Sequence, residues 1–241
     1  HWLSADLLRR IAFDSQSVLV QGAAWLGSRT EATVGLNSLS SRILCGRHNE
    51  SLSPLDRTVA DFFAAFRDGS VDMMTASADC EFECMFTMVN GPRLQLWLLK
   101  VLWGALASGV QLVDGHIPYR FRLGVASETL ADILWRGAAW PNHWGFYLLN
   151  AYPDVPTVIN SVRIRFVNHG PEVLGGVLNI GGHRFALGFE QPDVPATFQP
   201  GAIALQRDGY GNWKSFAFCW PEVRHVPLNL LSKVLRGGNP F

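Results

Sequence analysis

Between Ser4 and Phe13 (SADLLRRIAF) the apolar residues Leu7, Leu8 and Ile11 share one helical face. Arg9 and Arg10 take the other face, and Ser4 supplies a cap. A strand pattern follows in SVLVQGAAW, then a polar loop over 27–33. The short apolar run Ser41–Cys45 (SRILC) leads into GRHNESLSP, which reads as a turn. Pro54 then marks the start of a helix over 55–67, with Leu55, Val59, Phe62, Phe63 and Phe66 at helical spacing. Residues 81–88 alternate, so Phe82, Cys84, Phe86 and Met88 are expected on the one apolar face of a half-buried strand. Gly91-Pro92 punctuates the chain before an apolar helix over 93–108, and Ser127 precedes a further helix over 128–135.

From about residue 144 the texture changes to short strands divided by Gly, Pro and Asn. Val162, Ile164 and Phe166 alternate with Arg163 and Arg165. Residues 173–180 and 183–189 flank Gly181-Gly182, a strong hairpin signal. A second hairpin is expected from 202–206 and 213–220 around the loop 208–212, with Phe216, Phe218 and Trp220 on one face. The fold class predicted is α+β, with central buried helices packed on an antiparallel sheet spanning about 144–220. The tail from Arg236 is expected to fray.

Composition supports a packed core: 48% of the 241 residues are hydrophobic, nine of them Trp and fifteen Phe. The most apolar stretch, Leu94 to Val113, has membrane-spanning length, but Gln95, Lys100, Ser108, Gly109 and Gln111 interrupt it. It reads as a buried core helix, and no membrane partner is expected. Twenty basic and twenty acidic side chains give zero net charge, so the basic excess of a dedicated nucleic-acid binder is absent. Four cysteines without a dense framework or a secretory leader point to a reducing cytoplasm.

One constellation carries chemistry. Cys45-Gly46-Arg47-His48 is a C-x2-H pair after an apolar run, and a tight turn would aim both side chains at one zinc ion. ILCGRHN resembles the second zinc knuckle of HNH-type (ββα-metal) nuclease domains, an apolar run followed by Cys-x2-Cys and then Asn or His, with His48 replacing the second Cys. His1-Trp2-Leu3-Ser4 resembles that family's Asp-His-Ile-x-Pro segment. The resemblance covers about the first 55 residues and implies an N-terminal finger over 1–54, with an α+β domain over 55–241. It implies that Cys45 and His48 are structural zinc ligands. It also implies that His1 stands where the catalytic base stands, and that a first Cys-x2-Cys lies upstream of His1. Ser40 and Ser53 stand where the family places its middle Asn and a ligand of the catalytic Mg2+ or Mn2+. Those departures remove two parts that metal-assisted hydrolysis needs.

Cys80 and Cys84 could complete a Cys3His site with Cys45 and His48, but their alternation with Phe82 reads as strand core. Glu81 and Glu83 read as solvated strand charges. His116, His143, His169, His183 and His225 have no second ligand at metal spacing. GGVLNIGG lacks the Lys-Ser/Thr ending of a phosphate loop, and VASET lacks nucleophile-elbow glycines. Three readings remain open: a zinc-structured, non-catalytic HNH-like module for binding or regulation; a metal-dependent nuclease acting on DNA; and a metal-free ligand- or protein-binding protein.

Overall fold

The computed structural model describes residues 5–11, 17–21, 31–39, 45–75, 85–107, 122–149, 162–180, 183–194, 196–206 and 213–220. Helix α1 (Ala5–Ile11) buries Leu7 and Leu8 as the periodicity predicts. Strand β1 (Ser17–Gln21) pairs antiparallel with β2 (Glu31–Gly35), Ser17 lying opposite Gly35. β2 takes over the end of the expected polar loop. Only Ala32 and Val34 are apolar there, alternating with exposed neighbours, which is too short a signal to read from sequence. A 3-10 turn over Leu36–Leu39 follows.

Helix α2 (Gly46–Thr75) is thirty residues long and corrects the expected turn at 46–54. Pro54 lies inside it and has no N–H to give the carbonyl of Glu50. Ser53 Oγ donates to that carbonyl instead, at 2.8 Å. Thr58 Oγ1 bonds the carbonyl of Pro54 at 2.9 Å. The added turns bury Leu52 beside Leu55. The boundary drawn after residue 54 therefore falls inside one helix. Leu7, Leu8, Leu36 and Leu52 join the same core as Phe62 and Phe63.

Strand β3 (Met85–Asn90) runs directly into α3 (Gly91–Ala107). Asn90 Oδ1 caps the helix by accepting from Arg93 N at 3.0 Å. Gly91 is needed for close approach, because a Cβ there would sit 2.6 Å from the buried Trp220 ring. α3 is buried on almost every side, and among the described residues no helix is long and apolar enough to cross a membrane. Strand β4 (Arg122–Leu123) leads to α4 (Ser127–Ala131), which continues as a π turn over Asp132–Arg136. Ala126, not Ser127, is the cap residue of α4, with no side-chain bond.

Strands β5 (Gly145–Leu149), β6 (Val162–His169), β7 (Glu172–Ile180), β8 (His183–Gly188) and β9 (Ala196–Phe198) complete a six-stranded sheet ordered β4-β7-β8-β5-β9, with β6 also on β7. Ile180 faces His183, the register the glycine pair predicts. Strands β10 (Ala202–Gln206) and β11 (Trp213–Cys219) form the second expected hairpin. They stand apart from that sheet, however, because β11 pairs in parallel with β3. The single antiparallel sheet expected over 144–220 is thus two sheets, one recruiting an early strand. Register with β11 sets Thr87 beside Phe216 and Val89 beside Phe218, on the inward face. Alternation then turns Phe86 and Met88 outward, 47% and 68% exposed, the reverse of the expected burial. Phe82, Cys80 and Cys84 lie outside the described residues.

Aromatic rings join the layers. Phe62 on α2 meets Phe185 of β8 at 6.0 Å and Phe216 and Phe218 of β11 at 5.7 and 5.9 Å. Phe146 of β5 stacks on Phe185 at 5.9 Å and lies 5.8 Å from Phe218. Ion pairs tie α2 to its neighbours: Asp61 to Arg10 on α1, Asp56 to Lys100 on α3, and Asp72 to Lys214 on β11. Lys100, with its side chain only 4% exposed, bonds both oxygens of Asp56 at 2.5 and 2.6 Å, and Trp97 Nε1 adds a third bond at 3.2 Å. Removing one member strands the other charge in the core. Asp56→Ala is expected to cost about 3 kcal/mol in urea unfolding, and Asp56→Leu combined with Lys100→Met to recover most of it. Equal stability of Asp56→Ala and wild type would show that the pair is not a buried constraint.

Candidate metal centre at the head of the second helix

The amide of Asn49 donates to the carbonyl of Cys45 at 3.0 Å, the first bond of α2. Cys45 is therefore the residue that opens the helix, and His48 stands three positions on, in the first turn. Those two positions face each other in any helix, as the two partners of a capping box do. That geometry brings Cys45 Sγ to 3.1 Å from His48 Nδ1. The sequence predicts convergence through a loop turn; the convergence is present, and a helix start produces it. Both residues are exposed.

His48 is flanked by one aromatic wall. Its ring lies 5.4 Å from Trp135, at 63°. Trp135 belongs to the π turn after α4, and its ring also lies 5.4 Å from that of Trp103 on α3, at 63°. Its Nε1 is buried with no hydrogen-bond partner among the described residues. Neither tryptophan stands out in the sequence as part of this site. Trp135 is visible there only as the end of an apolar helix pattern, and nothing local marks the π turn that carries it.

A thiol and an imidazole are the borderline-soft donors zinc takes. Zn–S near 2.3 Å and Zn–N near 2.0 Å put two tetrahedral ligands about 3.5 Å apart. The observed 3.1 Å separation reaches that with a small side-chain rotation, so the pair fits one side of a tetrahedral site. Among the described residues no group of three or more His, Cys, Asp or Glu could hold an ion. His1, Cys80 and Cys84, and also His116 and His225, fall outside the described residues. Cys219 is exposed and outside any disulfide at the end of β11. His143 is a turn residue with φ of 66°, its carbonyl accepting the Tyr147 hydroxyl at 2.6 Å, and burial pushes that phenol above its ordinary value. Ser53, aligned with a metal-ligand position of the HNH pattern, spends its hydroxyl proton on its own helix.

No protein-family model, no curated protein and no solved structure matches this chain.

The Ser53–Pro54 arrangement gives a test of what position 53 does. Ser53→Ala should cost about 1 kcal/mol in the native background, because the Glu50 carbonyl loses its donor. In Pro54→Ala, where a backbone amide is restored, the same change should cost close to nothing. Equal costs in both backgrounds, measured by denaturant unfolding, would refute the compensation.

Proposed function

We propose that β1, β2 and the head of α2 form a zinc-structured finger of the ββα-metal type, and that it serves binding or regulation rather than cleavage. The observation that carries this reading is the 3.1 Å approach of Cys45 Sγ to His48 Nδ1 at the start of the helix that follows an antiparallel strand pair. The order strand, strand, helix is the order the family's descriptive name states. In this reading Cys45 and His48 hold one side of the ion.

The non-catalytic reading is supported by Ser53, which stands where the HNH pattern places a ligand of the catalytic Mg2+ or Mn2+; a neutral hydroxyl is a weaker ligand for a hard divalent ion than a carboxylate. Zero net charge gives a nucleic-acid partner no electrostatic support. The competing nuclease reading requires His1 as general base, and it alone predicts Mg2+- or Mn2+-dependent nicking of DNA that His1→Ala abolishes. Plasmid incubated with the protein and either ion should remain supercoiled.

The metal itself is tested by elemental analysis. The protein, purified without chelators, should hold about one equivalent of zinc. Cys45→Ser should lose it and melt about 5 °C lower. Zinc-free protein from such a preparation would overturn the finger and leave a metal-free binding protein.

A further inference from the structure

We propose that residues 228–236 of this chain dock, as a short amphipathic helix, on the outer face of the β10-β11-β3 sheet, across Phe86 and Met88. Neither Cys45 nor His48 takes part, so the inference is independent of the metal reading. The inner face of this sheet carries Val89, Phe216 and Phe218 and is covered by α2 and α3. Alternation puts Phe86 and Met88 of β3, Ser215, Ala217 and Cys219 of β11 and Ala202 of β10 on the other side. Register sets Met88, Ala217 and Ala202 in one row across the three strands. Phe86, Met88, Cys219 and Ala202 are exposed, and no charged residue falls at the paired positions on this side. β3 and β11 form a parallel pair, and parallel strands are usually covered on both faces. Two large apolar side chains standing out from such a pair mark a face that another element covers.

The occupant follows from where the chain goes next. The described residues end at Trp220, one position beyond Cys219 on this same sheet, and residues 221–241 follow. At about 100° per residue, Leu228, Leu230, Leu231, Val234 and Leu235 fall within one arc of about 160°, and Asn229, Ser232, Lys233 and Arg236 fall in the opposite one. Pro227 stands at the head of this pattern, where a missing N–H costs nothing, and Gly237-Gly238 closes it. A helix over 228–236 is about 13 Å long. The strand from Phe86 to Asn90 covers about the same length, at about 3.3 Å per residue. Ala217 and Ala202, being small, leave room for a helix beside the taller Phe86 and Met88. The tether 221–227 reaches at most about 23 Å, which keeps the leucine face close to the sheet. Its local concentration there exceeds that of a second copy in dilute solution.

Cys219 is the natural probe, because it is a free thiol on this face. Its alkylation by N-ethylmaleimide in the native full chain is followed peptide by peptide by mass spectrometry, beside thermal melting. Leu231→Asp combined with Leu235→Asp should release the segment and speed alkylation of Cys219 about tenfold or more. Met88→Asp should do the same from the sheet side, and at 68% exposure this side chain is no part of the described core. Combining all three substitutions should add nothing further, since each abolishes the same contact. One rate of Cys219 alkylation in wild type and in both variants overturns the docking. It does so even if the leucine variant melts lower, because those leucines then pack on another surface. Protection of Cys219 that fades as wild type is diluted gives the face to a second copy and overturns the proposal equally. If the leucine variant does not fold, Met88→Asp and the dilution series decide the question alone.

Discussion

Phe62 lies where three layers meet, and its placement constrains the rest of the molecule. It projects from the middle of α2 and touches β8 in one sheet and β11 in the other. Among the described residues, neither sheet is bonded to the other through backbone ladders. What unites them is side-chain burial: Phe62 and Phe146 each contact rings from both sheets, while α3 closes the remaining side. Since burial is non-directional, alignment has to come from something more specific. The α2 aspartates supply it, reaching α1, α3 and β11 at three different heights along the helix.

Much of this organisation was legible in the sequence where local pattern and tertiary demand agree. The apolar helix at α3, the amphipathic α1, both C-terminal hairpins and the inward row Phe216, Phe218 and Trp220 follow from periodicity and turn residues alone. Illegible features depend on distant partners. Phe86 and Met88 look like core because they alternate, yet a parallel neighbour more than a hundred residues away decides which face is inward. Pro54 looks like a helix start because proline usually breaks helices. One hydroxyl on the preceding residue satisfies the carbonyl that proline leaves without a donor, and the burial of Leu52 favours carrying the helix on.

The candidate site shows the same division. The spacing of Cys45 and His48 is readable, and it brings the two side chains together as expected. The mechanism differs, since a helix start enforces the approach more rigidly than a loop would. The helix start places both residues at the end of the same helix that carries Phe62 into the core. Trp135 is not legible in the sequence as a neighbour of His48 because it comes from another element, and only the fold brings it beside the imidazole, with Trp103 against it.

The pairing of β3 with β11 bears on how the chain is made. Residues 85–90 leave the ribosome more than a hundred residues before their only described partner strand does. Until β11 emerges, the aromatic side of α2 lacks Phe216 and Phe218, and β3 presents an open edge. Such long-range closure is slow and leaves apolar surface exposed for the duration of synthesis. A chain cut short between positions 199 and 212 would carry α2, α3 and the strands of the larger sheet, yet be unable to finish its interior. Such fragments are natural clients for chaperones.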